Sequence, residues 1–157
     1  MSELRLTEFN SADPERLRPL LTGCLAVPRW VEQVLAGRPY RDRAALLAAA
    51  DLVLRPEEIH AAMAEHPRIG EKPAGGASRA EQSGVDDEAA RRFRAANAEY
   101  EDRFGHVYLV CASGRSGEEL LEILRKRLGN DPETELAIAG EELVKIARLR
   151  LEKAVAE

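Results

Sequence analysis

His66, Glu81 and Arg150 are the residues whose types and settings could support acid–base or anion chemistry in this chain. His66 continues the apolar spacing of Ile59, Ala62 and Met63 and is followed by Pro67, which places it on an inward face at the end of a helix. Helix C-terminal carbonyls favour a protonated imidazole, a setting that can hold a titrating group near neutrality. The same position suits a core histidine bonded to a backbone carbonyl equally well. Arg150 falls within the stripe of Leu136, Ala139, Leu143, Ile146 and Ala147 when residues are set about 100° apart, while Arg148 projects to the side. Burying a guanidinium is expensive unless it meets an anion. Arg150 therefore either snorkels at its helix end to water or an internal carboxylate, or grips a carboxylate in a pocket with its bidentate fork. Ser78 and Glu81 have capping-box spacing, which two satisfied backbone donors explain in full. Yet Glu81 and Gln82 follow a glycine-rich loop that starts at His66, and such a loop could bring a carboxylate, an amide and an imidazole together.

Other chemistries lack their residues. His60 and His66 are six apart, on different faces of a helix, and neither HxxxH nor HExxH occurs, so no metal site is expected. Gly75-Gly76 is too short to cradle phosphates, and there is no P-loop, dinucleotide fingerprint or GxSxG. Cys24 and Cys111 lie far apart in apolar stretches and read as buried free thiols. What is left is acid–base or electrostatic catalysis on a small anionic substrate, without a cofactor.

Composition narrows the partners. A net charge of −5 supplies no basic footprint for nucleic acid. The run Arg91, Arg92 and Arg94 reads as a solvated helix face. No apolar run is long enough to span a bilayer, the N-terminus is polar and acidic rather than signal-like, and the C-terminus has no peroxisomal tripeptide, so the expected location is cytoplasmic.

The elements that must position these residues are helical. Aromatics are only 4% of the chain, so the core must be mostly Leu, Ala, Val and Ile, which favours an all-α bundle, read here as one domain over residues 1–157. Asp13-Pro14 caps and opens a helix carrying Leu17, Leu20, Leu21 and Cys24. Pro28 opens a second with Trp30, Val31, Val34 and Leu35, stopped by Gly37 and Pro39. Asp42 caps a third that contains Leu46, Leu47, Ala50 and Val53, and Pro56 opens a fourth that ends at Pro67. Residues 67–77, with three glycines and two prolines, form a loop. A longer helix spans about 87–103 with Phe93, Asn97, Tyr100 and Phe104 on one side, broken by Gly105. His106 to Ala112 is strand-like but has no second strand to pair with, so it reads as a buried extended connector or a short helix. Ser116 and Glu119 form a capping box for a helix through Leu120, Leu121, Leu124 and Leu128, and Asn130-Asp131-Pro132 starts the last helix, about 133–153.

With the elements in place, a resemblance emerges. His66-Pro67-Arg68-Ile69-Gly70, Ser78-x-x-Glu81-Gln82-x-Gly84 and Asn97-x-x-Tyr100-x-x-x-Phe104-Gly105 resemble the OHCU decarboxylase family, OHCU being 2-oxo-4-hydroxy-4-carboxy-5-ureidoimidazoline. The likeness extends through Phe9-Asn10, Trp30 and Arg38-Pro39 upstream. Downstream it takes in Cys111-Ala112, Arg127-Leu128, Glu135-Leu136 and Ile146-x-x-Leu149-Arg150-Leu151. The resemblance implies an all-helical fold and cofactor-free decarboxylation of OHCU, a small anionic ureido substrate, to (S)-allantoin in urate breakdown. It assigns His66, Glu81 and Arg150 to catalysis. It assigns Pro67, Ser78, Gln82 and the backbone of Val107, Tyr108, Leu109 and Val110 to substrate contact, and it implies a homodimer. Many members read Phe-Gly-Phe-Pro-Phe where this chain has Phe104-Gly105-His106-Val107-Tyr108, a swap that binding through backbone amides tolerates. The rival reading from the residues is a non-catalytic helical module that binds a ligand or partner around a buried His–Arg pair.

Overall fold

Proline and short polar caps set the helix boundaries. The structure, a computed structural model, describes residues 4–64 and 87–157. These divide into two compact units, Met1–Ala62 with Gly140–Glu157, and Met63–Ala139.

In the first unit, β1 (Leu4–Arg5) leads into α1 (Leu6–Ser11), followed by α2 (Pro14–Cys24), α3 (Pro28–Ala36), α4 (Arg43–Ala49) and α5 (Pro56–Met63). Asp13 accepts a hydrogen bond from the Glu15 N–H at 2.9 Å ahead of Pro14, and Asp42 accepts one from the Ala45 N–H at 2.8 Å, as the caps predict. The unit also holds most of α8 (Pro132–Ala154) and β2 (Val155–Ala156), which pairs in parallel with β1, Leu4 opposite Val155. Leu17, Leu21, Trp30, Val34 and Leu46 are fully buried, as are Ala147 and Leu151 of α8. Each large one contributes about 1.5–3 kcal/mol of transfer free energy.

Polar side chains tie the connections of this unit down. The Asn10 amide donates to the Tyr40 carbonyl at 2.9 Å and accepts from the Tyr40 N–H at 2.8 Å. Arg38 donates to the carbonyls of Phe9 and Ala12 at the end of α1, and to Leu35 near the end of α3. The Trp30 indole donates to the Ala50 carbonyl at 2.8 Å. Asn10, Trp30 and Arg38 are thus scaffold residues.

Arg29 of α3 forks onto Glu58 of α5, with bonds of 3.0 and 2.8 Å, while Glu58 also accepts from the Arg55 N–H at 2.7 Å. The Arg29 hydrogen bonds, opposed by burial and aided by the Arg55 N–H, lower the Glu58 carboxyl from 4.5 to about 2. A depressed carboxylate contributes stability that is present above its unfolded value and is lost as pH falls through the folded one. The stability advantage of the wild type over Glu58→Gln is therefore expected at pH 7, to shrink from 4.5 downward and to vanish near 2. Melting both proteins across that range checks it; a gap that is constant with pH would refute it.

Three features depart from the sequence reading here. Helix α1 was not anticipated. Helix α4 stops at Ala49, where Ala50 and Asp51 N–H groups turn to carbonyls three residues back and tighten the last turn. Val53 is consequently outside it and 88% exposed. The terminal strand pairing joins residues from opposite ends of the chain, which no local pattern announces.

The second unit contains α6 (Asp87–Phe104), α7 (Gly117–Arg127) and the first turns of α8. Phe93, Ala96, Tyr100, Tyr108, Val110, Leu120, Leu121 and Leu124 form its core, with Phe104 and Leu128 packed at the edge. Arg91, Arg92 and Arg94 are exposed, as expected, and Arg92 reaches Glu118 at 3.1 Å. Ser116 and Glu119 complete the anticipated capping box at the start of α7. Residues 107–112 form neither helix nor strand, and Tyr108, Leu109 and Val110 are buried, so the extended-connector reading holds and the short-helix one does not.

Helix α6 ends at Gly105, whose φ of +76° lets its N–H reach back to the Glu101 carbonyl at 2.8 Å. A Cβ there would meet nothing within 4 Å, so Gly105→Ala costs only the backbone strain. That is about 1 kcal/mol, or roughly 2–4 °C in Tm for a chain of this size. An unchanged Tm would contradict it.

Candidate functional site

His66, Pro67, Ser78, Glu81, Gln82 and the whole 67–77 loop lie outside the described residues. Arg150 and the segment carrying Val107, Tyr108, Leu109 and Val110 lie within them, in different units.

Arg150 sits on the buried side of α8 by angle, yet its side chain is exposed and Nη1 donates to the Gly23 carbonyl at 3.3 Å. Its position is that of a cation at the C-terminal end of α2, where the helix dipole favours positive charge. Of the two readings the sequence allowed, the exposed side chain fits the arginine that snorkels from its helix end to the surface. Beside it, Cys24 is buried, and that burial pushes its thiol up to about 11 against the opposing charge of Arg150. Cys111 is only half-buried, a correction to the paired expectation.

The connector after Gly105 is held by a buried polar network that motif reading did not assemble. Arg127, at the end of α7, donates from Nε to both Glu135 oxygens at 3.0 and 2.9 Å, and from Nη2 to Glu135 Oε2. The Glu135 side chain is fully buried and that of Arg127 is 6% exposed. The Tyr100 hydroxyl of α6 donates to Glu135 Oε2, and the Asn130 amide donates to Oε1 at 3.2 Å. Burial, followed by the hydrogen bond to Glu135, raises the Tyr100 hydroxyl far above its ordinary range, which keeps it a donor. Burial opposes the charge on Arg127, but the Glu135 hydrogen bonds and charge win and its pKa is raised. The remaining arm, Nη1, donates to the Leu109 carbonyl, and the guanidinium carbon lies 4.9 Å from the Tyr108 ring centroid. Tyr108 in turn donates to the Leu120 carbonyl at 3.0 Å and meets the Tyr100 ring edge-on at 5.4 Å. Among the described residues no buried side-chain polar atom lacks a partner.

A signal for this network was present. Arg127 follows Leu120 and Leu124 at helical spacing, the same misplaced-guanidinium argument applied to Arg150. His106, half-buried, stacks on Phe104 at 6.1 Å and meets Tyr100 edge-on at 5.6 Å, filling the place of an aromatic residue. Among the described residues no group of three His, Cys, Asp or Glu side chains could hold a metal ion, and no helix is long and apolar enough to cross a membrane.

Fold and network together define an all-helical protein in which a buried Arg–Glu–Tyr cluster holds an irregular segment between two helices. A family model described as OHCU decarboxylase matches residues 10–152, and the chain belongs to that family. It is 29% identical over 144 residues to the uric acid degradation bifunctional protein TTL of Arabidopsis thaliana, covering 83% of this chain and 44% of that protein. It is 44% identical over 63 residues to a 2-oxo-4-hydroxy-4-carboxy-5-ureidoimidazoline decarboxylase of Amia calva, covering 40% of this chain and 36% of that protein. The chain thus matches less than half the length of these curated relatives. A crystal structure of OHCU decarboxylase in the presence of (S)-allantoin superposes with a TM-score of 0.71 at 27% identity, over 90% of this chain and 97% of that one.

Proposed function

We propose that this chain decarboxylates OHCU to (S)-allantoin without a cofactor. The observation that carries the reading is its match to a solved OHCU decarboxylase along nearly that protein's full length. In the proposed reaction the bond to the carboxylate carbon breaks and CO₂ leaves. The electron pair delocalises into the adjacent C=N/C=O system, and a proton then arrives on one face to set the (S) configuration. Arg150 and the backbone amides of Val107, Tyr108, Leu109 and Val110 hold the carboxylate and urea-like oxygens, with the scissile bond perpendicular to the ring. Pro67, Ser78 and Gln82 contact the substrate. His66 transfers the proton and Glu81 sets its protonation state. Orientation and fixed electrostatics supply the remaining acceleration.

The test uses OHCU generated in situ from urate, which decays by itself to racemic allantoin. Added protein is expected to speed that decay and to give one optical sign by circular dichroism. No change in rate or sign would favour a helical binding module instead. The same reading makes the protein a cytoplasmic homodimer of single-domain chains, and light scattering of the purified protein checks the dimer.

A further inference from the structure

One arm of Arg127 leaves the ion pair with Glu135 to hold the Leu109 carbonyl. Residues 107–112 are themselves in neither helix nor strand, so no regular hydrogen-bond ladder orients their peptide planes and the Arg127 bond takes that part at Leu109. The Leu109–Val110 peptide is trans. In a trans peptide the C=O and N–H point to opposite sides of the chain. Fixing the Leu109 oxygen on the guanidinium therefore also fixes the Val110 N–H, directed away from Arg127. The guanidinium cannot swing, because Nε and Nη2 are held by Glu135. Glu135 is held in turn by Tyr100 and Asn130.

We propose that Arg127 is a positioning residue, braced by Glu135, that aims the Val110 amide as a preorganised donor to an oxyanion of the ureido substrate. The inference rests on the decarboxylase reading above. A donor fixed before binding costs no reorganisation when the anion arrives. If the peptide is freed, the amide must be ordered by the substrate itself, and binding weakens.

Two variants separate this role from mere support of the fold. Arg127→Met with Glu135→Gln removes the buried charges together and leaves an acceptor for Tyr100. Arg127→Lys keeps the charge beside Glu135, but a compact ammonium cannot span both partners. In each, KM is expected to rise about tenfold, with kcat within about threefold of wild type. In the wild type, the Val110 amide resonance of ¹⁵N-labelled protein is expected to shift on adding (S)-allantoin. A fall in kcat at unchanged KM would mean only lost active molecules and would overturn the proposal. So would wild-type kinetics in both variants, or a Val110 amide that ignores (S)-allantoin. Failure of the wild type to accelerate OHCU decay removes the decarboxylase reading and this inference with it, and shows before any variant is made.

Discussion

His66→Asn is expected to cut the protein's acceleration of OHCU decay by about 10²–10⁴-fold, the usual worth of a positioned general acid or base. Asparagine approximates the size of the imidazole and keeps a donor and an acceptor, but it does not titrate. The loss therefore isolates proton transfer from packing. The optical excess should fall together with the rate, because a proton delivered by bulk water arrives on either face. Arg150→Ala should also abolish turnover, by releasing the substrate's carboxylate. Its cost to the fold is small: the arginine is exposed and its described bond is a single one, to the Gly23 carbonyl. Both variants should keep the wild-type helical circular dichroism. Wild-type-like turnover in either one removes that residue from the site.

Arg127→Ala is expected to have the largest effect on stability. It leaves the Glu135 carboxylate fully buried without its cation and takes the donor from the Leu109 carbonyl. Breaking a buried pair from one side costs about 3–5 kcal/mol, which corresponds to a fall in Tm of about 10 °C for a chain of this length. Arg127→Met with Glu135→Gln should recover most of that loss, since no uncompensated charge remains and Tyr100 keeps an acceptor. The comparison is decisive because the double variant changes more atoms than the single one yet is expected to be more stable. Thermal melts of the three proteins at neutral pH settle it; a single variant melting within about 2 °C of wild type would mean that Glu135 is not held as a buried ion.

Much of the framework was legible in the sequence because helix punctuation is local. Asp13-Pro14, Asp42, Pro56 and the Ser116–Glu119 box act on backbone groups within a turn of themselves, and each appears where its spacing placed it. Gly105 likewise ends α6 for a reason contained in one residue, its left-handed φ. The chemistry of His66, Glu81 and Ser78 was legible only as residue types, each with a sufficient structural explanation. Their assignment came from resemblance.

The sequence by itself determined where most of the helices begin, their apolar sides and the solvated arginines of α6, since periodicity and caps depend on neighbours a few residues away; α1 and the end of α4 escaped it. Only the tertiary structure decided depth and partnership. Periodicity placed Arg150 on the buried side of α8, but an angle about a helix axis does not say what covers the last turns, and the side chain is exposed. Arg127 and Glu135 stand on separate helices across the break at Asp131-Pro132, and only the chain folding back at that point brings guanidinium and carboxylate together. The cluster then holds Leu109, a residue whose local sequence reads as a strand and whose fold gives it no strand to join.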